Sequence, residues 1–195
     1  MTNFTVLDSK SQPISIRMAN TFRSPGIAVP VSAGAATSGA AFACSFTNSV
    51  LLGAVGGSGF AVLQISNPAG SGKNVYASAM LGGIDVGLTL ISSFTGVAQI
   101  TRGAALSSPT TASATNLRLG SNGTSVATIQ TATAAVSGGS VAMQLPLLQS
   151  NSCSLPLNGQ FIVPPGQTIE LQAQGTVSLI AVTMIAKVNL MWWEA

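Results

Sequence analysis

Four carboxylates, two thiols and no imidazole are all that this 195-residue chain offers to acid–base or metal chemistry. Without histidine, neither a Ser-His-Asp nor a Cys-His nucleophile can be assembled, and histidine zinc sites are excluded. Glycoside hydrolysis needs two acids flanking one bond. The acids are Asp8, Asp85, Glu170 and Glu194, one of them near each terminus. Only Asp85 with Glu170 could form such a pair, and lone acids on alternating strands read more simply as outward-facing residues. Calcium sites want clustered oxygen ligands, and no two acids are close in sequence. The expectation is a non-enzyme with no catalytic residues, no cofactor and no metal.

Three other features invite chemistry and answer to plainer readings. Pro68-Ala-Gly-Ser-Gly-Lys73 resembles part of a phosphate-binding loop. That motif needs a glycine where Asn67 stands, a hydroxyl where Asn74 stands, and a following helix, yet Val75-Tyr76-Ala77 reads as strand; the stretch is expected to be a hairpin loop. Trp192-Trp193 could stack on sugars, with Tyr76 as another aromatic. Adjacent strand residues face opposite ways, so one indole belongs in a core and the other points outward, toward an interface, where Trp is enriched. Cys44 and Cys153 allow an internal disulfide, free thiols, or bonds between subunits. Their separation excludes a CxxC motif, and buried free thiols are the simplest outcome. Asn3-Phe-Thr5 and Asn122-Gly-Thr124 match the glycosylation sequon without a secretory leader to make use of it.

Seven Lys and Arg against four Asp and Glu make 6% of the chain charged, where an ordinary domain has about a quarter. The cations Lys10, Arg17, Arg23, Lys73, Arg102, Arg118 and Lys187 never fall two together. Nucleic-acid binders concentrate theirs with aromatics between, so no nucleic-acid partner is expected. Mean hydropathy is +0.52, because the polar complement is Ser, Thr, Asn and Gln rather than ions. Disorder combines low hydrophobicity with high charge and does not fit. No continuous apolar region opens the chain. Its most apolar run, Val177 to Ile185, is half the length of a membrane helix. The expectation is a protein made in a cytoplasm that leaves by lysis or a dedicated route, with no membrane partner.

The elements that would position these residues are strands. Short apolar stretches repeat with turn residues between them at the spacing of a sandwich or barrel. Ile14-Ser-Ile16-Arg-Met18 alternates. Phe60 to Ile65 runs into the loop Asn67–Gly72 and on to Asn74–Leu81, which predicts a hairpin over residues 60 to 81. Ile84 to Leu90 alternates again. Residues 103 to 139, rich in Ala, Ser, Thr and Gly, predict either an extended excursion with short strands or an insertion packed on a neighbour. Phe161-Ile162-Val163 meets Pro164-Pro165-Gly166-Gln167, a turn sequence. Ile169 to Gln174 alternates, and Thr176 to Glu194 predicts one long strand with Ile180, Val182, Met184, Ala186, Val188, Leu190 and Trp192 on its buried face. No segment has the spacing of an amphipathic helix. The fold class is therefore all-β, an antiparallel β-sandwich of jelly-roll or related type: residues 1–26 an N-terminal extension, 27–195 the sandwich with its excursion at 103–139. The extension ends at Ser24-Pro25-Gly26 and serves either as a strand docked on another subunit or as an ordinary first strand.

The pieces Asn67-Pro-Ala-Gly-Ser-Gly-Lys-Asn-Val-Tyr76 and Phe161-Ile-Val-Pro-Pro-Gly-Gln-Thr168, with the final strand ending Trp-Trp-Glu194, resemble small structural proteins of tailed bacteriophages and similar bacterial surface-assembly proteins. The resemblance implies a capsid decoration protein, head fibre or similar virion component, and brings no catalytic residue with it. The function expected is a self-assembling subunit, a trimer or larger symmetric array of copies of itself alongside other structural proteins, with Ile14, Ile16, Met18, Trp192 and Trp193 as interface candidates. Two alternatives stand beside it: a subunit of an extracellular or spore-surface filament joined through its N-terminal segment, and a carbohydrate-binding module using Trp193 or Tyr76.

Overall fold

A computed structural model describes residues 30–53, 55–87, 93–178 and 182–195. The N-terminal extension, and with it Ile14, Ile16 and Met18, lies outside the described residues, as do Leu88, Leu90 and Ile180. Among the described residues eleven strands follow one short helix, α1 (Val31–Thr37), which buries none of its residues. The strands are β1 (Ala41–Leu52), β2 (Gly56–Ser66), β3 (Val75–Val86), β4 (Ser93–Arg102), β5 (Thr110–Ala112), β6 (Thr115–Asn116), β7 (Thr128–Ala132), β8 (Ser140–Leu147), β9 (Asn151–Val163), β10 (Thr168–Ser178) and β11 (Val182–Glu194).

They form two antiparallel sheets packed face to face, β6-β1-β11-β3-β9 and β5-β7-β2-β10-β4-β8. Leaving aside the short strands β5, β6 and β7, the long ones pair in nested fashion: β1 with β11, β2 with β10, β3 with β9 and β4 with β8. A long hairpin wrapped so that its successive pairs alternate between two sheets is the jelly roll. The wrapping corrects two local expectations. Residues 60 to 81 are no hairpin, because β2 pairs with β10 and β7 while β3 pairs with β11 and β9. The intervening loop instead crosses between sheets. Nor is Thr176 to Glu194 one strand. Gly175 lies inside β10, where it pairs with Gly59 and Gly96, and β10 runs on to Ser178 before β11 begins at Val182. Apolar continuity conceals that reversal, since the run Val177–Ile185 spans the end of β10 and the start of β11.

The core lies between the sheets. β11 supplies it as its period of two predicts: Val182, Met184, Ala186, Val188, Leu190 and Trp192 are buried, while Thr183 and Lys187 are exposed. Trp192 stacks on Phe42 with ring centroids 6.0 Å apart, and Leu63, Ile65, Ile100 and Leu171 face them from the second sheet. At this end of the sandwich the loops are tied together. Pro164–Gln167 is a type II turn with Gln167 N–H donating to Pro164 O at 3.1 Å and Gly166 at φ +80°. Asn67 locks the inter-sheet loop to it. Its backbone bonds Gln167 O and Gly166 N–H, and its buried amide donates to Lys73 O and Val163 O, each at 2.8 Å.

Trp193 points to the opposite face of β11 and lies flat on Tyr76, 5.5 Å away with the rings 5° from parallel. Residues 157–160 of β9 leave the ladder with β3, which resumes at Phe161, and this bulge turns through Asn158 at φ +50° and Gly159 at φ +77°. Gly159 rests on the indole so closely that a Cβ there would come within 2.3 Å of Trp193 Cη2. Trp193 is thus outward-facing as the alternation requires, yet only 7% exposed, covered by its own chain. Replacing Gly159 with alanine adds both a left-handed strain and a clash with a rigid ring. Gly159→Ala is expected to cost about 1–3 kcal/mol, read from urea unfolding followed by Trp fluorescence; an unchanged midpoint would contradict the packing.

Candidate functional site

The outer face of β2, β10 and β4 carries a polar row. Register aligns Gln64 with Glu170 and Glu170 with Thr101, and all three are buried, Glu170 completely. The cover is the 103–139 segment. Gln64 Nε2 donates to Glu170 Oε1 at 2.9 Å and to Ala104 O at 3.2 Å, and Ala104 N–H donates to Glu170 Oε2 at 2.9 Å. One row along, Val136 N–H donates to Gln172 Oε1 at 3.1 Å. Ala105 and Ser137 bridge the two ends of the segment with paired backbone bonds of 2.9 and 3.0 Å. Between those ends β7 extends one sheet beside β2, and β6 edges the other beside β1.

Glu194 does the same work on the tip of the sandwich. Its carboxylate is buried and accepts from Ser125 Oγ, from Val126 N–H at 3.1 Å and from Trp192 Nε1 at 3.3 Å, with Lys73 Nζ 3.8 Å away. Lys73, the residue that suggested a phosphate loop, therefore faces a carboxylate, and its loop leads into strand β3 rather than a helix. Burying a carboxylate is costly unless hydrogen bonds satisfy it. One segment donates hydrogen bonds to both of these carboxylates, which makes them fasteners.

Glu170 is thus buried rather than a plain solvent-facing acid, which corrects the simpler reading of its alternation. The reason is long-range: a segment that begins directly after its neighbour strand β4 folds back over it. Asp85 is exposed on the outer face of the other sheet, where Ser150 Oγ donates to it at 3.1 Å. The pair Asp85 and Glu170 lies on opposite outer faces of a two-layer sandwich whose sheets are about 10 Å apart, so the two cannot flank one bond.

Cys44 on β1 and Cys153 on β9 are both free thiols. In the order β1-β11-β3-β9 they are three strand spacings apart, roughly 14 Å, beyond the Cα separation of about 7 Å that a disulfide spans. An internal disulfide is excluded. Burial pushes both thiols above their ordinary value of 9.0, against a smaller opposite effect of backbone hydrogen bonds. Trp192 is core, and Trp193 and Tyr76 each cover one ring face of the other.

Among the described residues a seam stays open between β8 and β9, each of which ends its sheet. A groove of about 590 Å³ lies along it, lined by Arg102, Ser140, Ala142, Gln160, Ile162 and Thr168 among others. Ile162 of its lining is half-exposed, as is Val141 elsewhere on β8. Neither β8 nor β9 contains a charged residue. The sequence held a signal for this, the absence of Lys from residues 140–163, but strand order alone shows which strands are edges. Comparison with known proteins adds no relative: no family model, no curated protein and no solved structure matches the chain.

Two outcomes follow. Glu170→Ala leaves Ala104 N–H without its acceptor and takes one of two acceptors from Gln64 Nε2, and is expected to destabilise by about 1–3 kcal/mol, with trypsin cutting faster at Arg102 and Arg118 as the segment lifts. Wild-type unfolding and wild-type cleavage in that variant would remove the fastener role. In the native protein, with less thiolate present at a given pH than in an exposed cysteine, iodoacetamide labelling at pH 8 should be slow, rise as pH increases, and modify half-buried Cys153 before buried Cys44. Equal rates in native and urea-unfolded protein would contradict the burial.

Proposed function

We propose that this chain is a non-enzymatic, self-assembling structural subunit, a bacteriophage virion component of the capsid decoration or fibre type. The observation that supports the reading is a seam whose two edge strands, β8 and β9, carry no charge, with Arg102 of β4 the one cation among the described residues lining its groove. Edge strands of soluble proteins are usually guarded by Lys, inward charges, Pro or bulges. Here Pro156 and the bulge at 157–160 interrupt β9, yet its run Asn151–Leu155 and all of β8 up to Pro146 carry no charge. The outer face of the same sheet presents Ser45, Thr47, Ser49, Ser152 and Ser154, all exposed. Such a surface exchanges water for another protein's backbone at little electrostatic cost. The jelly-roll wrapping is compatible with this role by architecture alone, since the fold also serves lectins and cupins.

A second reading is favoured by the same seam: a filament subunit in which residues 1–26 of one copy add a strand to the edge of the next, main-chain bonds supplying affinity and Ile14, Ile16 and Met18 supplying register. Sedimentation velocity and negative-stain microscopy of the full chain and of a chain lacking residues 1–26 separate the two. A decoration or fibre protein is expected to form a closed oligomer of defined size that survives the deletion. A donor-strand filament is expected to form fibres that the deletion abolishes. A monodisperse monomer at high concentration, with neither particles nor fibres, would sink both.

A further inference from the structure

Two of this chain's few charges stand side by side. Glu170 and Glu194 are buried as fasteners, and Lys73 pairs with Glu194. Asp85 and Lys187 are instead exposed together on the outer face of β1-β11-β3-β9, on its two central strands. Register sets Lys187 beside Gly83 and Asp85 beside Ile185, so the two are diagonal neighbours with Cα atoms about 7–8 Å apart. Among the described residues neither makes an ion pair, and Asp85 accepts a hydrogen bond from Ser150 Oγ at 3.1 Å.

Around the pair the described face is neutral. The row through Lys187 runs Thr47, Lys187, Gly83, Ser152, and the row through Asp85 begins Ser49, Ile185. Gly83 has no side chain, and a hollow of about 360 Å³ opens there between Lys187, Asp85 and Ser152. Helix α1 and the stacked rings of Tyr76 and Trp193 take up the far end of the face. What is left is four long strands wide and about eight residues long, roughly 19 Å by 26 Å. Two such faces in contact bury about 1,000 Å² together, which is where specific interfaces begin.

We propose that this face meets the same face of a second copy across a two-fold axis, each copy's Asp85 lying over the other's Lys187. The inference rests on the assembly reading above and names a contact that carries it. The charges identify the occupant. A two-fold contact is self-complementary, residue i meeting j while j meets i, and one acid beside one base is the simplest pattern that satisfies it. An axis lying in the interface, midway between the two side chains and perpendicular to the line joining them, sets opposite charges over each other twice. The hollow at Gly83 gives the long lysine side chain room to turn toward its partner. On an open surface such a pair adds little. Between two faces of Ser and Thr it sets the register, because other alignments leave the ions facing uncharged groups or their like. A partner of one strong charge would not match a face that carries one ion of each sign.

The test is sedimentation velocity of the full chain beside Asp85→Lys, Lys187→Asp and the exchange that combines them. Both side chains are exposed, so melting followed by circular dichroism should keep the wild-type midpoint. Either reversal alone sets like charges against each other twice, and should raise the concentration for half-association about a hundredfold or more. The exchange should return it to within about tenfold of wild type, and an equal mixture of the two single variants should associate where neither does alone. If a reversal lowers the melting point, the milder Asp85→Asn and Lys187→Gln take its place, each expected to weaken association about tenfold. If the wild type associates and the single variants associate equally well, the face is overturned and left to another occupant, while the assembly reading stands. A loss in the single variants that neither the exchange nor the mixture repairs overturns the reciprocal pairing. If the wild type never associates, the assembly reading fails and takes this face with it.

Discussion

The fold depends on a carboxylate that has no access to water. Glu170 sits at the centre of the β2-β10-β4 sheet's outer face, and its two oxygens are held by Gln64 and by the backbone of Ala104. A buried acid left unsatisfied there would cost several kcal/mol. The segment 103–139 removes that cost, and in return is fixed to the sheet over much of its length, with Gln172 and Glu194 as further anchor points. Few charges exist in this chain, and two of its four acids serve this purpose. Scarcity of charge is therefore selective: ions that would decorate a surface are missing, while buried ones hold a non-repetitive segment in place.

That arrangement fixes one end of the molecule. Asn67, Glu194, the Trp192–Phe42 and Trp193–Tyr76 stacks and the type II turn knit three connections and the C-terminus there. Along one side the edge strands β8 and β9 carry no charge. Edges without charge and outer faces rich in Ser and Thr are two ways of tolerating a protein neighbour. Ion pairs could add little to such contacts; burial at about 25 cal/mol per Å² and backbone pairing would have to supply the affinity.

Legibility from sequence followed range. The buried face of β11, the Pro164–Gln167 turn and the opposite facing of Trp192 and Trp193 were readable because each follows from neighbours one or two residues away. The supposed hairpin over 60–81 misled because a loop between adjacent strands looks alike whether it returns within a sheet or crosses to the next. The boundary between β10 and β11 was hidden for a related reason: the apolar run through 177–185 continues across a reversal of direction. Glu170 alternated as an outward residue should, and did face outward; what it met there was another part of its own chain.

By itself the sequence determined the fold class, the buried face of its clearest strand and the absence of histidine chemistry, because composition and period-two alternation are local properties. Only the tertiary structure decided which strands pair, which become edges, that the two cysteines are too far apart to bond, and that the acids Glu170 and Glu194 act as anchors. Those outcomes are set by contacts between residues far apart in the chain, such as Ala41 with Trp193, Ala104 with Glu170 and Asn67 with Val163. No local pattern carries the partner's identity, so the same acid reads as surface in the sequence and as core in the fold.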